Sequence, residues 1–109
     1  MLSNATVKHI NKLQQKKYRR EYNEFIIEGV KGVGELLNSK LKDCIVMIII
    51  QKSIKEESQI SEIWQKAEKE GIEVNFCDNK EIGKIKTTST FPGVMAVGRQ
   101  KNFSIKKGI

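Results

Sequence analysis

Six cationic side chains, Lys8, Lys12, Lys16, Lys17, Arg19 and Arg20, precede the first acidic one, Glu21. Ammonium and guanidinium groups donate hydrogen bonds and accept none, so a run of this density is suited to holding an anion rather than breaking a bond. The first twenty residues carry +6 of the formal net charge of +7, and the remainder of the chain is almost neutral. Charge gathered in one segment points to a localised anion-binding surface, with nucleic acid as the first partner to consider. Two other readings of the same charge stay open. One is a solvated helix face, because lysine is a common surface residue. The other is an amphipathic, acid-free mitochondrial transit peptide, although the segment holds a single serine and runs without a break into an apolar stretch.

Bond-making chemistry finds less support. His9 is the only histidine and falls near the charged side of a first helix, so a Ser-His-Asp, Cys-His or histidine-metal site would have to be built around one exposed ring. No pair of carboxylates stands out, and Glu56 and Glu57 sit where acids favour the positive end of a helix dipole. No catalytic residue and no metal ligand is assigned. Cys44 and Cys77 lie inside apolar runs without C-x-x-C spacing, as expected of a buried, reduced pair. In "EGVKGVGE", residues 28–35, Gly29, Gly32 and Gly34 invite a phosphate-loop reading. Their order, G-x-x-G-x-G, reverses the dinucleotide fingerprint, and no Gly-Lys-Ser/Thr follows. Tight turning and close helix-sheet packing are the alternative, and a small-molecule enzyme using this loop remains a third class of function. "TTSTFPG", residues 87–93, is a hydroxyl-rich loop able to touch phosphates, or simply a loop.

These groups need elements to position them. Residues 3–20 read as one helix with Ser3 as N-cap. Val7, Ile10 and Leu13 recur on one side and Lys8, Lys12 and Lys16 on nearly the opposite one, with Arg19 falling back over the lysines. Phe25–Ile27 reads as a strand closing on Glu28-Gly29, and Val30, Val33, Leu36 and Leu37 follow at helical spacing. The unalternated run Cys44–Ile50 predicts a central strand covered on both faces. A helix over about 56–70 ends at Gly71, a strand covers 72–77, a short helix 79–85, and Val94–Val97 forms the last strand. Such alternation predicts a single α/β domain, a three-layer α/β/α sandwich around a mostly parallel sheet. Residues 1–98 form that domain, and the aperiodic basic tail 99–109 reads as a linker. The longest apolar run is far too short to cross a bilayer, and the first twenty residues contain no apolar secretory core. A soluble, cytoplasmic protein without a membrane partner is expected.

The ordered motifs carry a resemblance. Lys17-Tyr18-Arg19, then Phe25-Ile26-Ile27-Glu28-Gly29 opening a helix, then Pro92-Gly93-Val94-Met95-Ala96-Val97 resemble the N-terminal substrate-binding domain of SpoU (TrmH-like) RNA 2′-O-ribose methyltransferases. Many relatives place a Gln between that Pro and Gly, and this chain does not. The resemblance implies an L30e-like fold that binds structured ribosomal or transfer RNA. Methyl transfer from S-adenosylmethionine would belong to a C-terminal knotted domain whose Asn, Arg and Ser-Leu-Asn motifs are not in this sequence. By it, this fragment has no cofactor of its own, the full-length enzyme is a homodimer through that further domain, and RNA contacts fall on Lys8, Lys12, Lys16, Lys17, Arg19, Arg20, Glu28, Thr88 and Thr90. The runner-up is a free-standing L30e/L7Ae-like RNA-binding protein. The resemblance implies that the full-length parent is the enzyme and that this fragment lacks its catalytic domain.

Overall fold

The computed structural model describes residues 2–85 and 91–100; residues 101–109 of the expected linker lie outside them. Along the chain run α1 (Asn4–Lys12), α2 (Lys16–Tyr22), β1 (Glu24–Glu28), α3 (Val30–Leu37) and β2 (Ile45–Gln51). Then follow α4 (Ser58–Lys69), β3 (Val74–Cys77), α5 (Asn79–Lys84) and β4 (Val94–Arg99), with short 3-10 turns at Lys40–Cys44 and Lys52–Ile54. Local chemistry explains several ends. The Ser3 hydroxyl accepts from the Thr6 amide, as expected of an N-cap. Asp78 and Glu81 form a reciprocal capping box that starts α5. Gly71, at φ +74, follows the end of α4.

Ile48, Ile49 and Ile50 are all fully buried, which is why the β2 sequence does not alternate. Ile48 and Ile50 pack with Val33 and Leu37 of α3 and Ile60, Ile63 and Ala67 of α4. Ile49 points the other way, into a second cluster with Val7, Ile10 and Leu13 and with Met95 and Val97 of β4. Two cores on opposite faces of one sheet make three layers.

The sheet order is β1-β4-β2-β3. β4 runs antiparallel to both its neighbours, and only β2 and β3 pair in parallel. The expectation of a mostly parallel sheet therefore fails, and the sheet is mixed. β4 alone is reversed relative to the other three strands. It begins at the end of the sheet where β3 finished.

β4 also runs past Val97 to Arg99, with Gly98 opposite Phe25. A Cβ at Gly98 would fall into the Phe25 ring, so the missing side chain is what lets the ring lie across β4. Gly98→Ala is expected to destabilise by about 1–3 kcal/mol through overpacking, and Phe25→Leu in the same chain to recover part of it, both read from thermal midpoints.

Cys44 and Cys77 are free and buried. Burial, helped by the Glu81 and Asp78 carboxylates, pushes the Cys77 thiol up to about 11. The folded state thus keeps a proton on Cys77 that the unfolded chain gives up from its ordinary value of 9.0, so this group's contribution to stability is intact below pH 9.0 and is lost as pH rises through about 11. Alkylation of native protein at pH 8 should leave Cys77 unmodified while denatured protein reacts fully; fast native labelling of Cys77 would contradict its burial.

Candidate nucleic-acid interface

The single helix expected over residues 3–20 is two helices. Nothing in Leu13-Gln14-Gln15 breaks a helix by propensity; packing does. A straight helix over those residues would be about 27 Å long, yet Val7, Ile10 and Leu13 must lie on the sheet while Glu24 must enter the same sheet as β1. The chain turns at Leu13, the C-cap of α1, and restarts at Gln15, whose backbone is extended. The Arg19 guanidinium donates to the Leu13 carbonyl at 2.9 Å and ties the corner. Arg19 is consequently half-buried and occupied, not a member of a continuous ridge. Asn23 ends α2 in the left-handed conformation, φ 59, which asparagine tolerates. It exchanges bonds with Gln100 beyond β4: its carbonyl accepts from the Gln100 amide at 2.9 Å, and its side-chain amide donates to the Gln100 carbonyl at 3.0 Å.

α2 reads Lys-Lys-Tyr-Arg-Arg-Glu-Tyr and contains no buried residue. Lys16 and Lys17 stand in its first turn, where cations oppose the dipole. A helix optimised for itself would not be written this way. Lys8 and Lys12 are exposed on α1, one turn apart, and Lys16, Lys17 and Arg20 are exposed on α2. Next to them a cavity of about 410 Å³ is lined by Lys16, Arg19, Arg20, Asn23, Glu24, Phe25 and Gln100.

Glu24 lies at the base of this face, with its side chain only 3% exposed. Arg99 donates to its Oε2 from Nε at 3.0 Å and from Nη2 at 2.6 Å, and His9 Nε2 meets its Oε1 at 2.6 Å. A carboxylate only accepts, so Nε2 carries the proton. His9 is thus not an exposed ring on the charged side, as the sequence suggests; it is half-buried and joins α1 to β1. Sequence reasoning missed Glu24 and Arg99. The one available signal was an acid at the mouth of an apolar strand; nothing marked its partner 75 residues away.

Glu28 is exposed at the opposite end of β1, about 14 Å from Glu24 at strand spacing. The structure therefore does not bring Glu28 together with the lysines of α2. Thr88 and Thr90 lie outside the described residues. Beside Glu28, Gly29 has φ +91, a conformation that serves the turn into α3, and a Cβ at Gly32 would meet Ile27 Cγ2 at 2.7 Å. These glycines are used for turning and close packing. Among the described residues no cluster of three or more His, Cys, Asp or Glu could hold a metal ion, and no helix is long and apolar enough to cross a membrane.

The model of the MRM3-like substrate binding domain matches residues 4–96. No curated protein matches the chain. Among solved structures, an rRNA methyltransferase from Sinorhizobium meliloti superposes with TM-score 0.66 at 26% identity, over 93% of this chain and 36% of that one. An RNA 2′-O ribose methyltransferase gives TM-score 0.66 at 15% identity, over 96% and 38%. The SpoU methyltransferase AviRb from Streptomyces viridochromogenes, solved with AdoMet, gives TM-score 0.61 at 12% identity, over 91% and 36%. The last two likenesses speak to the fold alone. This chain spans little more than a third of each relative's length.

The Glu24 network separates two arginines that exposure alone would rank alike. Arg99, with its side chain 62% exposed, removes two donors from a buried carboxylate when changed to Ala, at an expected cost of about 1.5–3 kcal/mol. Arg20→Ala should stay within about 0.5 kcal/mol. Urea or thermal melts of both variants check the difference, and equal effects would contradict it.

Proposed function

The chain belongs to the MRM3-like substrate-binding domain family, and from that premise we propose that it is the RNA-holding part of an S-adenosylmethionine-dependent RNA 2′-O-ribose methyltransferase of the SpoU/TrmH type, L30e-like in fold. The observation that carries the reading is α2, a helix with no fully buried residue that is more than half cationic. Joined by Lys8 and Lys12 of α1, it offers charge to phosphates without disturbing the core. Structured RNA is recognised largely through its shape, phosphates and 2′-hydroxyls, which such a face suits. The Sinorhizobium relative is an rRNA methyltransferase, which favours ribosomal RNA over transfer RNA as the partner.

At the glycine-rich turn the Ile27 side chain takes up the space over Gly32, so we assign no S-adenosylmethionine cradle to that turn. Methyl transfer, cofactor binding and homodimer contact are assigned to a further part of the enzyme, since the relatives extend well beyond the matched 36%. Because Arg99 ends β4 and Gln100 pairs with Asn23, we assign the linker role to 101–109, with a second RNA contact at Glu28, Thr88 and Thr90, and the cytoplasm as location. A free-standing L30e/L7Ae-like binder would share the charge, but the matching family is a substrate-binding domain and the 26%-identical relative is an rRNA methyltransferase, which favours the first reading.

Reversing Lys12 and Lys16 to Glu should weaken binding of a structured rRNA fragment and flatten the slope of log affinity against log salt by about one to two units. The melting curve should barely move, because exposed charges contribute little to stability. Ile10→Asp is the matched control; Ile10 is fully buried, and a carboxylate there should unfold the corner. Unchanged affinity and slope in the folded double variant would mean that the basic face is only solvated surface.

A further inference from the structure

Resting on the RNA-holding reading, we propose that Tyr18 is a stacking platform for one unpaired nucleobase of the bound RNA. Its ring and that of Tyr22, one helical turn on, are nearly parallel, with centroids 6.3 Å apart and planes 19° apart. Tyr22 meets the His9 ring edge-on at 4.9 Å and packs against the core cluster beneath α1. Tyr18 belongs to neither core cluster. It is the outer, half-buried member of the row, an aromatic side chain that the fold does not use for its interior.

What surrounds Tyr18 is charge. Lys12 Nζ reaches it from α1 at 5.5 Å from the ring centroid, and Lys17 Nζ from α2 at 4.9 Å. Both lysines are exposed, so their long stems can swing aside. A base laid on the ring would leave its own and neighbouring phosphates within reach of those two ammonium groups, the pairing of stacking with cationic contacts by which proteins hold unpaired bases. The platform is also held still. The row runs from Tyr18 through Tyr22 to His9, and His9 is fixed by Glu24, which Arg99 holds in turn. Pre-set aromatic geometry lowers the ordering cost of binding. The other aromatic and lysine group, Lys55 over Trp64 and Phe76, differs on each count. Both rings pack on the core, and the Trp64 indole donates to the Glu68 carboxylate, whose charge repels phosphate. The overall aromatic content of 6% argues against a platform for many bases, and it leaves room for one.

The test compares two RNAs of equal phosphate count, a hairpin with an unpaired loop and a blunt duplex, against the 109-residue chain, Tyr18→Phe and Tyr18→Ala. The parent and Tyr18→Phe should prefer the hairpin and agree within about twofold. Tyr18→Ala should lose about fivefold or more on the hairpin and nothing on the duplex, because a stacked base is worth at least about that factor. Its salt slope should stay unchanged, since no phosphate contact is removed. Abasic residues in the loop should produce the same loss in the unmodified protein, an arm that needs no variant to fold. Equal affinity for hairpin and duplex, an indifferent abasic loop, or equal losses on both RNAs in Tyr18→Ala would each overturn the stacking site while leaving RNA binding intact. A parent that binds neither RNA overturns the RNA-holding reading, and the platform with it.

Discussion

A carboxylate withdrawn from water is tolerated only where donors replace the lost hydration, and Glu24 meets that condition from two directions. Arg99 reaches it from β4 and His9 from α1, while its own backbone opens β1. Three elements far apart in sequence are thereby bound to one pair of oxygens. The position of α1 over the sheet fixes where α2 must begin, and the Glu24 clamp fixes where it must end. The cationic helix between them has almost no freedom of placement although none of its residues is fully buried.

That arrangement separates stability from presentation. The two cores lie above and below the sheet and are filled by aliphatic side chains from β2, β4 and the larger helices. α2 is held at three points: Arg19 on the Leu13 carbonyl, Tyr22 against the core, and Asn23 with Gln100. Its exposed positions are therefore free to be lysine and arginine in a pattern that its own dipole disfavours. Charge that would be poor helix design becomes affordable when the helix is held from outside.

Much of this was legible in the sequence, and the limits have physical causes. Periodicity exposed the buried side of α1, the doubly covered β2 and the stripe on α4, because those signals are local. The Ser3 cap and Gly71 were readable for the same reason. The break after Leu13 was not, since Gln14 and Gln15 are acceptable helix residues and the turn is imposed by where β1 must enter the sheet. The direction of β4 is a matter of long-range pairing, which alternation of strand and helix does not reveal. For the site, residue types were informative and geometry was not. The lysines were found, but Glu28 proved to lie at the other end of β1 from those on α2, His9 proved to be a strut, and the Glu24–Arg99 pair spans a separation that no local pattern records.

The reciprocal bonds between Asn23 and Gln100 close the fold at the point where β4 ends. Because β4 is an interior strand, hydrogen-bonded to β1 on one side and β2 on the other, tension applied through the residues after Gln100 would pull along the strand and across two ladders of transverse bonds. Those bonds share such a load and must yield together, whereas an edge strand could be peeled away one pair at a time. The domain is therefore mechanically firm toward its C-terminal side, and motion transmitted there would move it as a rigid body, carrying the basic face along.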